Sequence, residues 1–446
     1  MKNCKVIIED YGKIKRAEIE PARLNFFVGD NNSGKSYILS MLWAIQNFGI
    51  DDLIPFSFFG KNETGIWLCE WMSDKIDHCI EDGMYHLAIY EVIDRLQMLL
   101  NESLENQKNN IVKKIFNSDD IDIGKLQIQL NNNTNTVFDL CAENDVIWLD
   151  SGKIHVLGIE IHDYETKQRD QYIYIFIKAL YSNFLDINFN IRNSIENIYL
   201  PAARTGFMLT KNIINQVGRD IAFNVDASRE QITPFIRPIN QFLDIINSLS
   251  EEVDGDSGYS DLIAYVETQM AGGKVDINDM PSKEVMYVPD GKNTVIPLRA
   301  VSGVVSELSP LILILKHNGY INSIYFEEPE MCLHPQLQHK MAKVICNLVN
   351  MGIDMTVTTH SDIILQYINN MIALSKREDK LQIFDSLGYT NKDIVLEKDI
   401  KVYQFMALDN GESRIIQLEC GQNGFIVDTF NDALDKIMNE AYMIQE

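Results

Sequence analysis

The chain has 446 residues, 46% apolar and 23% charged, the mix of a folded globular protein with room for two or three domains. Its 64 acidic side chains outnumber 39 basic ones, leaving a formal charge of −25, so direct nucleic-acid binding is not expected without a local basic patch. Seven cysteines without CxxC spacing argue against a disulfide framework. No apolar stretch approaches membrane-spanning length, and MKNCKVIIEDYGKIK has no apolar signal region, so a cytoplasmic protein with no membrane partner is expected.

In chain order, residues 5–9 and 14–20 read as short strands and Leu24–Val28 as a buried one. Gly29 to Ser36 is a glycine-punctuated loop, and Ile38, Met41, Leu42 and Ile45 then fall at helical spacing. A long proline-free helical pattern runs from Met84 to Phe116. Residues 123–164 alternate like three or four antiparallel strands, with a polar turn at Asn131–Thr136. Ile198–Leu200 is a core strand. Residues 206–280 read as mostly helical, interrupted by an acidic surface loop at Glu251–Asp261.

The last part alternates: a helix from about Val304, a strand at Ser323–Phe326, a helix at Pro335–Asn350 and a strand at Asp354–Thr359. Strands near Val402–Met406 and Arg414–Glu419 precede an amphipathic helix after Asp428. Alternating strands and helices predict an α/β fold with a largely parallel sheet. The predicted core is 1–50 with 120–205 and 285–446, an antiparallel β part included. The stretches 51–119 and 206–284 are helical insertions, the second carrying the acidic loop.

Gly29-Asp30-Asn31-Asn32-Ser33-Gly34-Lys35-Ser36 fits GxxxxGK[ST] at every fixed position and lies between a strand and a helix that opens with Tyr37. Its glycines let backbone N–H groups curl around phosphate oxygens at a helix N-terminus. Lys35 would bridge the outer phosphates and the Ser36 hydroxyl would ligate Mg²⁺. The sequence therefore predicts a nucleotide site over residues 29–37. The strand at 323–326 runs into Glu327-Glu328-Pro329-Glu330, placing Glu327 as a metal-shell ligand and Glu328 as the base that orients the attacking water. Thr358-Thr359-His360-Ser361 puts His360 where a strand end meets a helix start, the place where open α/β sheets bind ligands. Ser302-Gly303 opens a helix, and as a local signal it reads equally well as a plain N-cap.

The order of P-loop, Ser-Gly helix, EEPE strand and TTHS histidine resembles the ABC-type ATPase superfamily, on its SMC-like and OLD-like branch. GDNNSGKSYILSMLW, IYLPAARTGF and FEEPEMCLHPQLQ, with the closing VYQF and GFIVDTFNDALDKI, are similar to standalone ATPases of bacterial phage defence, above all the AriA-type ATPases of PARIS systems. The resemblance implies ATP and Mg²⁺ as cofactors and slow ATP hydrolysis. It also implies a homo-oligomer built from head-to-tail ATP dimers, with Ser302 and Gly303 reaching in trans to the partner's nucleotide. A separate effector, a Toprim nuclease, would be held and then released on sensing a phage-encoded trigger protein. The chain departs from the pattern in a degenerate signature without a second glycine or a glutamine, and in Glu327 where most relatives have Asp. No Asp-x-Asp follows His360, which leaves any cutting to another protein. The alternative is an SMC-like ATPase acting directly on DNA. A basic pocket for an acidic trigger would draw on Arg204, Arg229 and Arg237, although Arg204 could equally face the nucleotide or brace the sheet.

Overall fold

The structure, a computed structural model, describes residues 4–131, 138–150, 155–165, 169–185, 187, 197–223, 235–249, 258–278, 284–427 and 438–444. Most of the expected acidic loop, the polar turn after 131, Arg229 and the start of the C-terminal helix lie outside the described residues. The chain divides into two compact units, Met1–Pro21 with Met41–Asn193, and Ala22–Ser40 with Ser194–Glu446. No helix among the described residues is long and apolar enough to cross a membrane.

In the first unit, strands Cys4–Tyr11 and Ile14–Ile19 form a hairpin, and Ile123–Leu130 pairs antiparallel with the first of them. A second antiparallel sheet runs Met84–Leu87, Phe138–Glu143, Val146–Asp150, His155–Glu160. The four strands at 123–160 are thus divided between two sheets. The helix expected from Met84 begins instead at Ile93 and ends at Phe116. The preceding helix Glu63–Asp82 is capped by the Asn62 side chain and stops at Gly83, whose φ of +85° suits glycine. That stop frees Met84–Leu87 to pair with residues 138–141.

The second unit is built on a buried strand, β1 (Leu24–Gly29), all six residues of which are inaccessible. Such a strand reads as a near-continuous apolar run, broken here only by Asn25, as strands buried on both faces do. Helix α1 (Lys35–Asn47) follows the glycine loop. Then come β2 (Asn197–Leu200), α2 (Arg204–Phe223), α3 (Gly303–His317), β3 (Ser323–Glu327), α4 (Pro335–Asn350), β4 (Asp354–Thr359), α5 (Asp362–Ser375), β5 (Ile400–Ala407) and β6 (Ser413–Leu418).

Within this unit the strand order is β6-β5-β1-β4-β3-β2, parallel throughout except for the antiparallel strand β6. Phe26, Val28, Leu200, Leu308, Ile312, Phe326, Val344, Val357, Ile368 and Val402 join one core between sheet and helices. The fold class expected from the sequence, an α/β P-loop core with an antiparallel β part and helical insertions, is the one observed. The stretch 206–280 differs in one respect: after helices Arg237–Ser248 and Ser260–Val266 it ends in a strand, Gly273–Ile277, paired with Val285–Pro289.

Register places the site. Val28 lies opposite Thr359, Thr358 opposite Glu327, and Gly29 opposite Phe405. The C-terminal ends of the parallel strands therefore finish level, and the loops that leave them gather at one edge of the sheet.

Candidate active site

The loop Gly29–Ser36 is shaped by three residues at positive φ: Gly29 (+119°), Asn32 (+58°) and Gly34 (+93°). Gly29 has a steric reason as well, since a Cβ there would sit 2.1 Å from the Phe405 carbonyl oxygen. The Asp30 N–H donates to that same oxygen (3.2 Å), and the Asp30 carboxylate accepts from Ala407 N–H (3.1 Å), which ties the loop to β5. Gly29→Ala is expected to destabilise the fold by about 2 kcal/mol or more, read as a lower melting midpoint together with loss of nucleotide binding.

The buried Ser33 hydroxyl donates to the Asp30 carbonyl (2.7 Å), and Tyr37 and Ile38 N–H both return to Gly34 (3.1 and 3.2 Å) to start α1. Asn31, Asn32 and Ser36 are exposed. Lys35 is 7% exposed, and its ammonium folds back onto the carbonyls of Asp30 (2.6 Å) and Gly29 (3.1 Å). Burial pulls Lys35 down to about 8, against the opposing pull of Glu328, Asp30 and Glu330. It is a cation held short of full solvation where a phosphate would restore its charge.

The acids after β3 take separate places. Glu327 is 8% exposed, and its carboxylate accepts the Ala202 N–H (3.0 Å). Glu328 leaves the strand with φ +41°, its N–H donating to the Thr358 carbonyl (2.9 Å), and its carboxylate comes 3.8 Å from His360 Nε2. Burial, then Lys35, pushes His360 below the usual imidazole range, with Asp30 opposing. The ring is therefore neutral at pH 7, and its approach to Glu328 is a polar contact instead of an ion pair. The Ser361 side chain caps α5 by accepting the Ile364 N–H (3.2 Å), which fixes His360 at the helix start.

Glu330 carries no distinct signal in the sequence, where it is the third acid of the EEPE run. Its carboxylate accepts the His360 N–H (2.6 Å), and burial raises it above the usual carboxylate range. Arg204 is also settled: it is 1% exposed and braces the sheet, so it offers no surface to a partner. Arg237 is exposed at the start of its helix.

Ser302 caps α3 by accepting the Val305 N–H (3.5 Å). Ser302 and Gly303 are exposed, and a Cβ at Gly303 would meet nothing nearer than Cys332 Sγ at 4.0 Å, so local packing does not require that glycine. Seven residues on, Pro310 removes the N–H that would reach Ser306, and the Ser309 hydroxyl takes that carbonyl instead (2.8 Å).

The structure thus brings Asp30, Lys35, Glu328, Glu330 and His360 within electrostatic reach of one another. It turns the Glu327 carboxylate to Ala202 and presents Ser302-Gly303 outward. Among the described residues no group of three His, Cys, Asp or Glu is placed to hold a metal alone. A Mg²⁺ bound here would complete its shell with phosphate oxygens and water, as that ion commonly does.

No curated protein matches the chain. Among solved structures, an SMC head bound to the C-winged helix domain of ScpA is 13% identical over 93% of this chain and 97% of that one, with a TM-score of 0.34. The SMC head domain from Thermotoga maritima is 10% identical over 94% and 100%, at 0.33. A Pyrococcus furiosus Smc head with an extended coiled coil is 12% identical over 99% of each chain, at 0.34. A sequence profile of the AAA ATPase domain matches residues 1–365, a span that holds the glycine loop, the EEPE strand and the TTHS histidine. The chain belongs to the AAA ATPase domain family.

Proposed function

We propose that the chain hydrolyses ATP slowly and acts as the sensor and scaffold of an anti-phage system. The observation that carries the ATPase part is geometric: the buried Lys35 ammonium is held by the Gly29 and Asp30 carbonyls inside the glycine loop, and Glu328 lies 3.8 Å from His360 at the neighbouring strand ends. Lys35 would bind the outer phosphates, and the loop N–H groups and the N-terminus of α1 would receive the rest of the negative charge. Glu328 would orient a water and take its proton, with the neutral His360 ring beside it, 3.8 Å away. The exposed Ser36 hydroxyl and Glu327 would hold Mg²⁺, which when bound neutralises charge on the phosphate oxygens.

The exposure of Ser302 and Gly303 supports a homo-oligomer of head-to-tail ATP dimers. The resemblance to AriA-type ATPases supports the rest: a separate effector, a Toprim nuclease, held until a phage trigger protein is sensed. Among the described residues the longest helix has 24 residues, Ile93–Phe116. It spans about 36 Å, a poor counterpart of the long coiled coil that a DNA-gripping SMC-like protein uses.

The test is to co-express the chain with its chromosomal neighbour and weigh the product by native mass spectrometry, with and without Lys35→Ala. An assembly that carries ATP and a nuclease-sized partner, dispersed by the substitution, is expected. A bare monomer or dimer that retains plasmid DNA would favour direct action on nucleic acid.

A further inference from the structure

Arg204 has no part in the mechanism above, yet it is among the largest wholly buried side chains of the chain. Its Nη1 donates to the carbonyls of Pro201 (2.8 Å) and Glu327 (2.7 Å), and Nη2 to the carbonyl of Glu328 (3.2 Å). The guanidinium lies 4.8 Å over the Phe326 ring and pairs with Glu307 (2.7 Å), both side chains 1% exposed. Glu307 is on α3, and its other oxygen accepts from the Thr205 N–H (3.0 Å) and hydroxyl (2.7 Å).

Stability is a poor reason for such a pair. Removing two charges from water costs several kcal/mol, and apolar residues of similar volume often serve as well. What this pair does locally is grip backbone. The three carbonyls held by Arg204 end β2 and β3, and two of them belong to the acids of the site. Glu328 needs holding most, because φ +41° is a region that a residue with a Cβ enters at a cost of about 1–3 kcal/mol. Its N–H is fixed by Thr358 on one side, and its carbonyl by Arg204 on the other.

We infer that Arg204 is a positioning residue for Glu328, set in place by Glu307 from the helix that opens with Ser302-Gly303. The inference rests on the reading of Glu328 as the water-orienting carboxylate. A lysine keeps the cation but has one nitrogen in place of a planar fork, so it cannot hold Glu307 and three carbonyls together.

The experiment measures ATP turnover and single-turnover hydrolysis in Arg204→Lys and Glu307→Gln, each alone and combined with Glu328→Gln. Arg204→Lys is expected to lower kcat by about 10- to 100-fold with KM within about twofold, the signature of a misplaced catalytic group. In the Glu328→Gln background the same substitution should change the residual single-turnover rate by less than about twofold, because the group it positions is already gone. A KM that worsens in step with kcat, or an undiminished loss on top of Glu328→Gln, overturns the inference. If Arg204→Lys fails to melt cooperatively, the Glu307→Gln cycle decides by the same criteria. Wild-type hydrolysis in Glu328→Gln alone would remove the reading of Glu328 itself, a failure visible before any Arg204 variant is assayed.

Discussion

Glu328→Gln should lower ATP hydrolysis by about 100- to 1,000-fold while ATP binding stays intact or tightens. The amide keeps the size of the side chain and its polar contact with His360, so the strained backbone at φ +41° has no new reason to move. What it loses is the basic carboxylate oxygen that takes a proton from water. Binding is spared because the loop, Lys35 and Ser36 are untouched, and removing a negative charge beside the phosphates relieves repulsion. Glu330→Gln is the informative contrast. Glu330 receives the His360 N–H at 2.6 Å, and a carboxamide oxygen can accept that bond as well, so about a tenfold loss at most is expected. Single-turnover assays with radiolabelled ATP separate the two. A larger loss in Glu330→Gln than in Glu328→Gln would mean that Glu330, and not Glu328, faces the water.

Much of this site was legible because its parts sit at strand ends. Buried parallel strands appear as short runs of apolar or β-branched residues, and Leu24–Gly29, Ser323–Glu327 and Asp354–Thr359 are each followed at once by the residues that matter. Helix Pro335–Asn350 is legible to the residue because His334-Pro335 marks its start and its apolar stripe runs almost to its end. What escaped depends on partners distant in sequence. Met84–Leu87 is a strand only because residues 138–141 lie beside it, and Gly273–Ile277 only because 285–289 does. Glu330 looks like a third acid in a surface run until the His360 backbone, 30 residues on, bonds to it. Glu327 and Glu328 are neighbours with separate fates, since one ends the strand and the other turns out of it. Whether Arg204 faces nucleotide or braces the sheet is open in the sequence, and its bonds to the Glu327 and Glu328 carbonyls and its pairing with Glu307 decide it.

ATP affinity should weaken about tenfold per pH unit above pH 8, through loss of one proton from Lys35. The free protein holds Lys35 at about 8, chiefly by burial. A triphosphate binds the protonated form, so once the free lysine is neutral, binding must also take up a proton. Lys35→Arg, charged at every accessible pH, should give a flat profile. Glu328 is the strongest of the charges that raise Lys35, so in Glu328→Gln the break in the profile should move to lower pH.

The same shift fixes the sign of a stability effect. Lys35 drops from its ordinary 10.5 to about 8 on folding, so between those values the unfolded chain binds more protons than the folded one. Stability of the nucleotide-free protein should therefore rise with pH across that window on account of Lys35, and the lysine is most destabilising below pH 8. Lys35→Ala should accordingly raise the melting midpoint of the nucleotide-free protein at pH 7 while abolishing ATP binding, and the wild-type-minus-variant difference should shrink from pH 8 to 10.5. Isothermal titration and thermal melts over that range test both halves. A lysine that weakens the empty fold, and that only a bound anion makes favourable, is what a binding residue looks like in stability data; an alanine variant that melted lower would instead make Lys35 a structural brace for its own loop.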